Sequence, residues 1–174
     1  MQILRQIIFF TLFLLLSKQS FTQTISLSVV GENQDATKVI DSIGYKKSYS
    51  NYNSLQNEIN RLKKKLTKDG YIDTTIKNVN KKHDTLFEAQ FILGKRVNKI
   101  RIYYDSSFNT DYLTTITPSK DTNFFELKIT ELESQLKILN SKIAEQGDPF
   151  STLQLINISK LNSDLISADL KIVT

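Results

Sequence analysis

The sequence predicts an α+β protein of two tandem β-α-α-β-β units, each a three-stranded mixed sheet with two helices on one face. Three observations predict it: a long internal repeat, the same helix start and stop signals in both copies, and period-2 apolar alternation in the segments around each helix. In the helical part of the repeat, Leu55, Ile59, Leu62, Leu66 and Gly70 match Leu132, Leu136, Leu139, Ile143 and Gly147 at an offset of 77 residues. Beyond the glycine the offset is 79. Tyr71, Ile76, Asn78, Val79, Leu86, Ala89, Phe91 and Leu93 match Phe150, Leu155, Asn157, Ile158, Leu165, Ala168, Leu170 and Ile172. The two-residue difference falls at Asp148-Pro149, where a turn absorbs it. A period of this size is too long for a solenoid of short repeats and suits two small domains.

The first element is a strand. Ile25, Leu27 and Val29 alternate with Ser26 and Ser28 and end at Gly31, the pattern of a half-buried strand. Asn33 to Ile43 has room for one or two helical turns, with Ala36, Val39, Ile40 and Ile43 on one side; Gly44 to Asn53 reads as loop. A strong helix follows. Asn53 is its expected N-cap, with Gln56 completing a capping box. Leu55, Ile59, Leu62 and Leu66 form one apolar stripe, and Gly70 is the left-handed stop. Its counterpart opens at Thr130 with Glu133, and closes at Gly147 before Pro149, which cannot continue a helix.

Each helix leads into a strand pair. Tyr71 to Asn80 runs out and Thr85 to Leu93 returns, with Phe87, Ala89, Phe91 and Leu93 on one face. Phe150 to Ile158 and Leu165 to Val173 repeat the design. Val97 to Tyr104 occupies in the second unit the place of Ile25–Val29, and Asp105 to Asn123 is polar and loosely patterned, with a short helix around Tyr112, Leu113 and Ile116. The last two strands of each unit form an antiparallel hairpin. The first must return through a helical crossover, which favours parallel pairing.

Residues 1–22 read as a cleavable secretory signal: Arg5, then an apolar run from Ile7 to Leu16, then Ser20-Phe21-Thr22 with small residues at the peptidase positions. The mature chain then begins near Gln23. Ten helical residues span roughly 15 Å, against a hydrocarbon core of roughly 30 Å, which argues against an anchor. The expected division is therefore 1–22, 23–95 and 96–174. With no cysteine in the chain, neither a disulfide nor a lipid-modified N-terminal Cys is possible. Export remains compatible with that, because a domain with a real core needs no staple.

The formal charge is +5, and removing Arg5 and Lys18 with the signal leaves +3. That is a solubility statement, not a nucleic-acid footprint. Lys63-Lys64-Lys65 reads as a solvated helix face and Lys81-Lys82 as a hairpin tip. Catalysis finds little support. The single histidine, His83, falls in a turn, the five glycines include no G-x-G spacing, and Asp69/Asp73 and Asp164/Asp169 lie where carboxylates commonly stand, at helix ends and turns. No catalytic group, metal or cofactor is expected.

Lys68-Asp69-Gly70-Tyr71-Ile72-Asp73, the return strand Phe87 to Gly94, the opening Val97 to Ile102 and the step Gln146-Gly147-Asp148-Pro149-Phe150 carry a resemblance to the polypeptide-transport-associated (POTRA) domain. The likeness covers the whole mature chain. POTRA domains stand in front of outer-membrane β-barrels that fold or translocate other proteins, the BamA/TamA-like assembly factors and two-partner secretion transporters. The resemblance implies a periplasmic location, binding of unfolded or partly folded outer-membrane or secreted polypeptides, and an outer-membrane β-barrel as partner, in the same chain or a separate one. In such a sheet the first hairpin strand lies at an edge, where an extended client can add by main-chain hydrogen bonds. Ile72, Thr74 and Ile76 in the first unit and Thr152, Gln154 and Ile156 in the second are the expected contact positions. An envelope scaffold tethered to the inner membrane by an uncleaved N-terminal segment is the alternative.

Overall fold

The computed structural model describes residues 24–116, 121 and 123–173. The signal expected at residues 1–22 lies outside them. The first unit runs β1 (Ile25–Gly31), α1 (Gln34–Ile43), β2 (Ser48–Tyr49), α2 (Tyr52–Lys68), β3 (Thr75–Lys81) and β4 (Leu86–Ile92). The second runs β5 (Lys99–Tyr103), a 3₁₀ helix (Thr110–Thr115), β6 (Phe124–Lys128), a 3₁₀ turn (Ile129–Glu131), α3 (Leu132–Glu145), β7 (Thr152–Lys160) and β8 (Leu165–Val173). The two sheets have equivalent orders, β2-β1-β4-β3 and β6-β5-β8-β7. As the crossover argument predicts, β1 pairs parallel with β4 and β5 with β8, while both hairpins are antiparallel.

Each sheet therefore has four strands where three are expected. In the first unit the extra strand is only Ser48–Tyr49, antiparallel to β1, too short to show any period. In the second it is Phe124–Lys128, antiparallel to β5, with Phe125 and Leu127 facing inward. The first helix of that unit is a 3₁₀ helix whose Leu113 is fully buried.

Both main helices end as the glycines predict. Gly70 has φ +101° and Gly147 φ +109°. The Tyr71 N–H donates to the Leu66 carbonyl and Gly70 to Thr67; Asp148 donates to Ile143 and Gly147 to Ala144. These are the paired bonds of a Schellman stop. The starts differ from expectation. Asn51, not Asn53, caps α2, accepting from the Ser54 N–H at 2.9 Å. α3 grows out of the Ile129–Glu131 turn without a side-chain cap, so Thr130 is not its N-cap.

Leu55, Ile59, Leu62 and Leu66 are fully buried against β1 and β4, forming the first core with Leu27, Val29, Ile40, Ala89 and Phe91. A carboxylate staple holds the α1–α2 connection. Glu58 accepts from the Lys46 N–H (3.0 Å) and from Arg61 Nε (2.8 Å), and Arg61 also reaches the Gly44 carbonyl. The Arg61 hydrogen bond holds the Glu58 carboxyl below the usual range. Burial, with the Glu58 charge nearby, pushes the Tyr49 phenol up to about 12. The second core gathers Ile100, Ile102, Leu113, Phe125, Leu139, Ile143, Ile166 and Ala168.

The units meet at the end of α2. The Val97 N–H donates to the Gly70 carbonyl at 2.8 Å, and Arg96 Nε to the Asp69 carbonyl at 2.8 Å. Val97 is 1% exposed. A Cβ on Gly70 would stand 2.2 Å from the Val97 carbonyl oxygen, whereas one on Gly147 meets nothing within 4 Å among the described residues. Lys160 pairs with Asp73 at 2.9 Å across the junction, and Lys68 with Glu133. Ile72, from the first unit, packs against the core of the second.

Candidate functional site: an open strand edge beside an apolar groove

Among the described residues, β3 and β7 each pair on one side only, with β4 and β8. Their outer N–H and C=O groups form a row open to another extended chain. The six positions read from sequence fall unequally on these edges. Ile72 and Thr74 are not on β3 at all. The Schellman exit from α2 continues as a turn, closed by the Thr74 N–H to the Tyr71 carbonyl, so the strand begins only at Thr75. Thr74 is 3% exposed and its hydroxyl also bonds the Tyr71 carbonyl. Ile76 lies on β3, paired with the buried Phe91 and so on the core face. Thr152, Gln154 and Ile156 lie together on β7, on its exposed face.

Both edges carry a bulge near the same place in the repeat. In the first sheet Ile76 pairs with Phe91 and Asn78 with Gln90, leaving Lys77 extra. In the second, Ile156 pairs with Asp169 and Ser159 with Ser167, so two residues oppose one. Asn157 occupies this bulge at φ +53°, its side-chain amide donating to Asp169 at 2.7 Å. Asn tolerates that left-handed geometry better than other side chains. One extra residue reverses the side-chain alternation beyond it. On β7 the core-directed face therefore passes from Leu153 and Leu155 to Ile158 rather than to Asn157.

Ile158 lines an apolar groove of about 450 Å³ between α3 and β7. Leu132 and Leu136 of α3 form one wall and Leu155 and Ile158 the other, with Ile166 of β8 also in the lining. Ile72, Thr67 and Lys68 of the first unit belong to it too. The groove exists because α3 is closed on the sheet only in its second half: Leu139 and Ile143 are buried, Leu132 and Leu136 only partly. Their repeat equivalents Leu55 and Ile59 on α2 are fully buried. Apolar exposure concentrates along the same edge, with Ile156 at 37%, Ile158 at 62% and Leu161 at 47%. Large apolar side chains gathered along one strand edge, on both of its faces, make that edge a candidate interaction surface. At the rim, the Lys68 ammonium holds the Glu133 carboxyl below its ordinary value.

Sequence reasoning locates the β7 edge and expects side-chain pockets in the groove along the adjoining helix, but does not show that this groove opens in the second unit and closes in the first. Leu132 and Leu136 have the stripe of any buried helix, and nothing in their spacing distinguishes them from Leu55 and Ile59. Glu133, expected in a capping box, instead reaches across the junction. His83 stands exposed in the β3–β4 turn. Among the described residues, no group of three His, Cys, Asp or Glu side chains could hold a metal ion, and no helix is long and apolar enough to cross a membrane.

No protein-family model matches the chain, and no curated protein matches it in sequence. Among solved structures it is similar to BamA from Haemophilus ducreyi lacking POTRA domains 1–3. The TM-score is 0.50 at 14% identity, over 84% of this chain and 28% of that one. It is also similar to POTRA3–5 of BamA from Haemophilus influenzae (TM-score 0.45, 12% identity, 86% of this chain, 60% of that one). A third is POTRA1–2 of the periplasmic domain of Omp85 from Anabaena (TM-score 0.44, 12% identity, 86% of this chain, 94% of that one). The two units have a POTRA-type fold. The chain spans just over a quarter of the length of the first of these structures.

Proposed function

We propose that this chain is a periplasmic polypeptide-binding module of an outer-membrane protein assembly or translocation system, with no catalytic role of its own. Residues 1–22 serve as the export signal, and residues 23–95 and 96–174 are the two POTRA-like units. Clients are unfolded or partly folded outer-membrane or secreted polypeptides, and an outer-membrane β-barrel, in the same chain or another, is the structural partner. Binding is by strand addition, chiefly at β7. The observation that carries this reading is the coincidence of an unpaired strand edge with an apolar groove along its helix side. Main-chain hydrogen bonds give affinity indifferent to client sequence, and the groove takes client side chains at alternate positions.

Proline substitution tests it, because an edge strand tolerates proline while losing a donor. Fluorescence anisotropy would follow a labelled peptide corresponding to one transmembrane strand of an outer-membrane barrel. Single prolines at Thr152, Gln154 and Ile156 are expected to include at least one that abolishes binding while the circular dichroism stays native. Unchanged binding in all three, with folding intact, would overturn strand addition at β7.

A further inference from the structure

The client groove lies on the second unit, yet part of its lining comes from the first. Ile72 lies in the turn between α2 and β3, Thr67 and Lys68 in the last turn of α2, and all three line the groove with Leu132, Leu136 and Ile158. The contacts that bring them there are those that dock the two units. The Val97 N–H seats on the Gly70 carbonyl, Asp73 pairs with Lys160, and Lys68 pairs with Glu133. If the junction opens, Ile72 leaves the second core and the groove loses its apolar wall on that side.

We propose that the docking of the first unit and the capture of polypeptide by the second are one coupled equilibrium, with Ile72 as the specificity-determining residue contributed across the junction. This rests on the strand-addition reading above. The occupant is an extended segment with alternating side chains. Those directed at α3 are apolar, because they meet Leu136, Ile158 and Ile72. Those directed away continue the face of Thr152, Gln154 and Ile156, so they can be polar or apolar. A client that fills the groove gains the Ile72 contact only in the docked state, so it binds that state better and draws the units together. By linkage, whatever loosens the junction weakens the client by the same factor.

Two substitutions loosen the junction without touching the groove. Asp73→Lys sets two cations against each other at Lys160, and Gly70→Ala forces the Val97 carbonyl away. Neither Asp73 nor Gly70 lines the groove. The probe is the labelled barrel-strand peptide used above, titrated into the full chain. Asp73→Lys is expected to weaken binding roughly two- to fivefold, the range of a surface charge pair. Adding Lys160→Asp is expected to restore it. Gly70→Ala is expected to weaken binding by roughly tenfold, within the usual range of coupling between sites. Its repeat equivalent Gly147→Ala should leave binding unchanged.

The reciprocal readout is amide hydrogen exchange at Val97, whose N–H bonds Gly70: saturating peptide is expected to slow it several-fold in the wild type. Should Gly70→Ala fail to fold, Asp73→Lys and the Val97 amide still decide the matter. A peptide that does not bind the wild type sinks the strand-addition reading and this inference with it. A peptide that binds wild type and Asp73→Lys equally, and leaves Val97 exchange unchanged, overturns the coupling alone.

Discussion

The same substitution at two equivalent glycines isolates the junction from the helix stop. Gly70 and Gly147 end α2 and α3 with nearly the same backbone, φ +101° and +109°. Alanine at either position suffers the left-handed penalty of about 1–2 kcal/mol. Only at Gly70 is there a collision, with the new Cβ 2.2 Å from the Val97 carbonyl where real contacts do not fall under 3.0 Å. The linker must retreat by nearly an ångström. That breaks the 2.8 Å Val97–Gly70 hydrogen bond, about 1 kcal/mol net. It also uncovers part of Val97, a side chain whose full burial is worth about 1.5–3 kcal/mol. Gly70→Ala should therefore lose about 3–4 kcal/mol and Gly147→Ala about 1–2. Urea unfolding checks this, followed by circular dichroism and by amide signals assigned to each unit, because two units need not unfold as one transition. Equal losses, within about 0.5 kcal/mol, would refute the view that Gly70 is the seat of the second unit.

Two further outcomes follow from the structure. The Arg61 bond lowers the Glu58 carboxyl, so its contribution to stability is present above the unfolded carboxylate range, about 4.3, and is lost as pH falls through the lower folded value; Glu58→Gln should flatten the acid limb of Tm against pH below about pH 4.5, and an unaltered limb would remove the staple from the account. Asn157→Val places a β-branched side chain at φ +53° and deletes the bond to Asp169, and should cost about 1–3 kcal/mol in thermal unfolding.

The repeat, the stops and the crossover were legible because each is written in single residues at fixed spacing. Gly70 and Gly147 stand where a left-handed stop is needed, which their place at the end of each apolar stripe makes legible, and the alternation in Phe87 to Leu93 admits one inward face; that Gly70 also seats the second unit was not legible. The fourth strands were obscured for opposite reasons. Ser48-Tyr49 is held by two pairings and the Lys47 carbonyl, which no pattern can show. Phe124 to Lys128 does alternate, but follows a long polar stretch and precedes the α3 stripe, and so was absorbed into neither. Among the candidate contact positions, the three on β7 were placed on a strand because no turn intrudes there after Ser151. Ile72 and Thr74 were misplaced because the helix exit consumes Tyr71 to Thr74 as a turn. That the helix groove opens in one unit and not in the other was invisible for a deeper reason. Whether Leu136 is half open or, like Ile59, fully closed depends on how the helix tilts over its sheet, and both tilts are served by the same stripe.

Ile72 counts with the first unit along the chain and with the second in its packing. A cut between residues 95 and 96, where the repeat suggests one, would leave the first fragment with a stray isoleucine in water and the second with an unfilled notch. Moving the cut upstream to keep Ile72 would behead the first hairpin and unseat the end of α2. Either half taken alone loses the Ile72 contact across the junction, so fragments intended to report on one unit will differ from that unit in the intact chain at the groove where clients are proposed to bind.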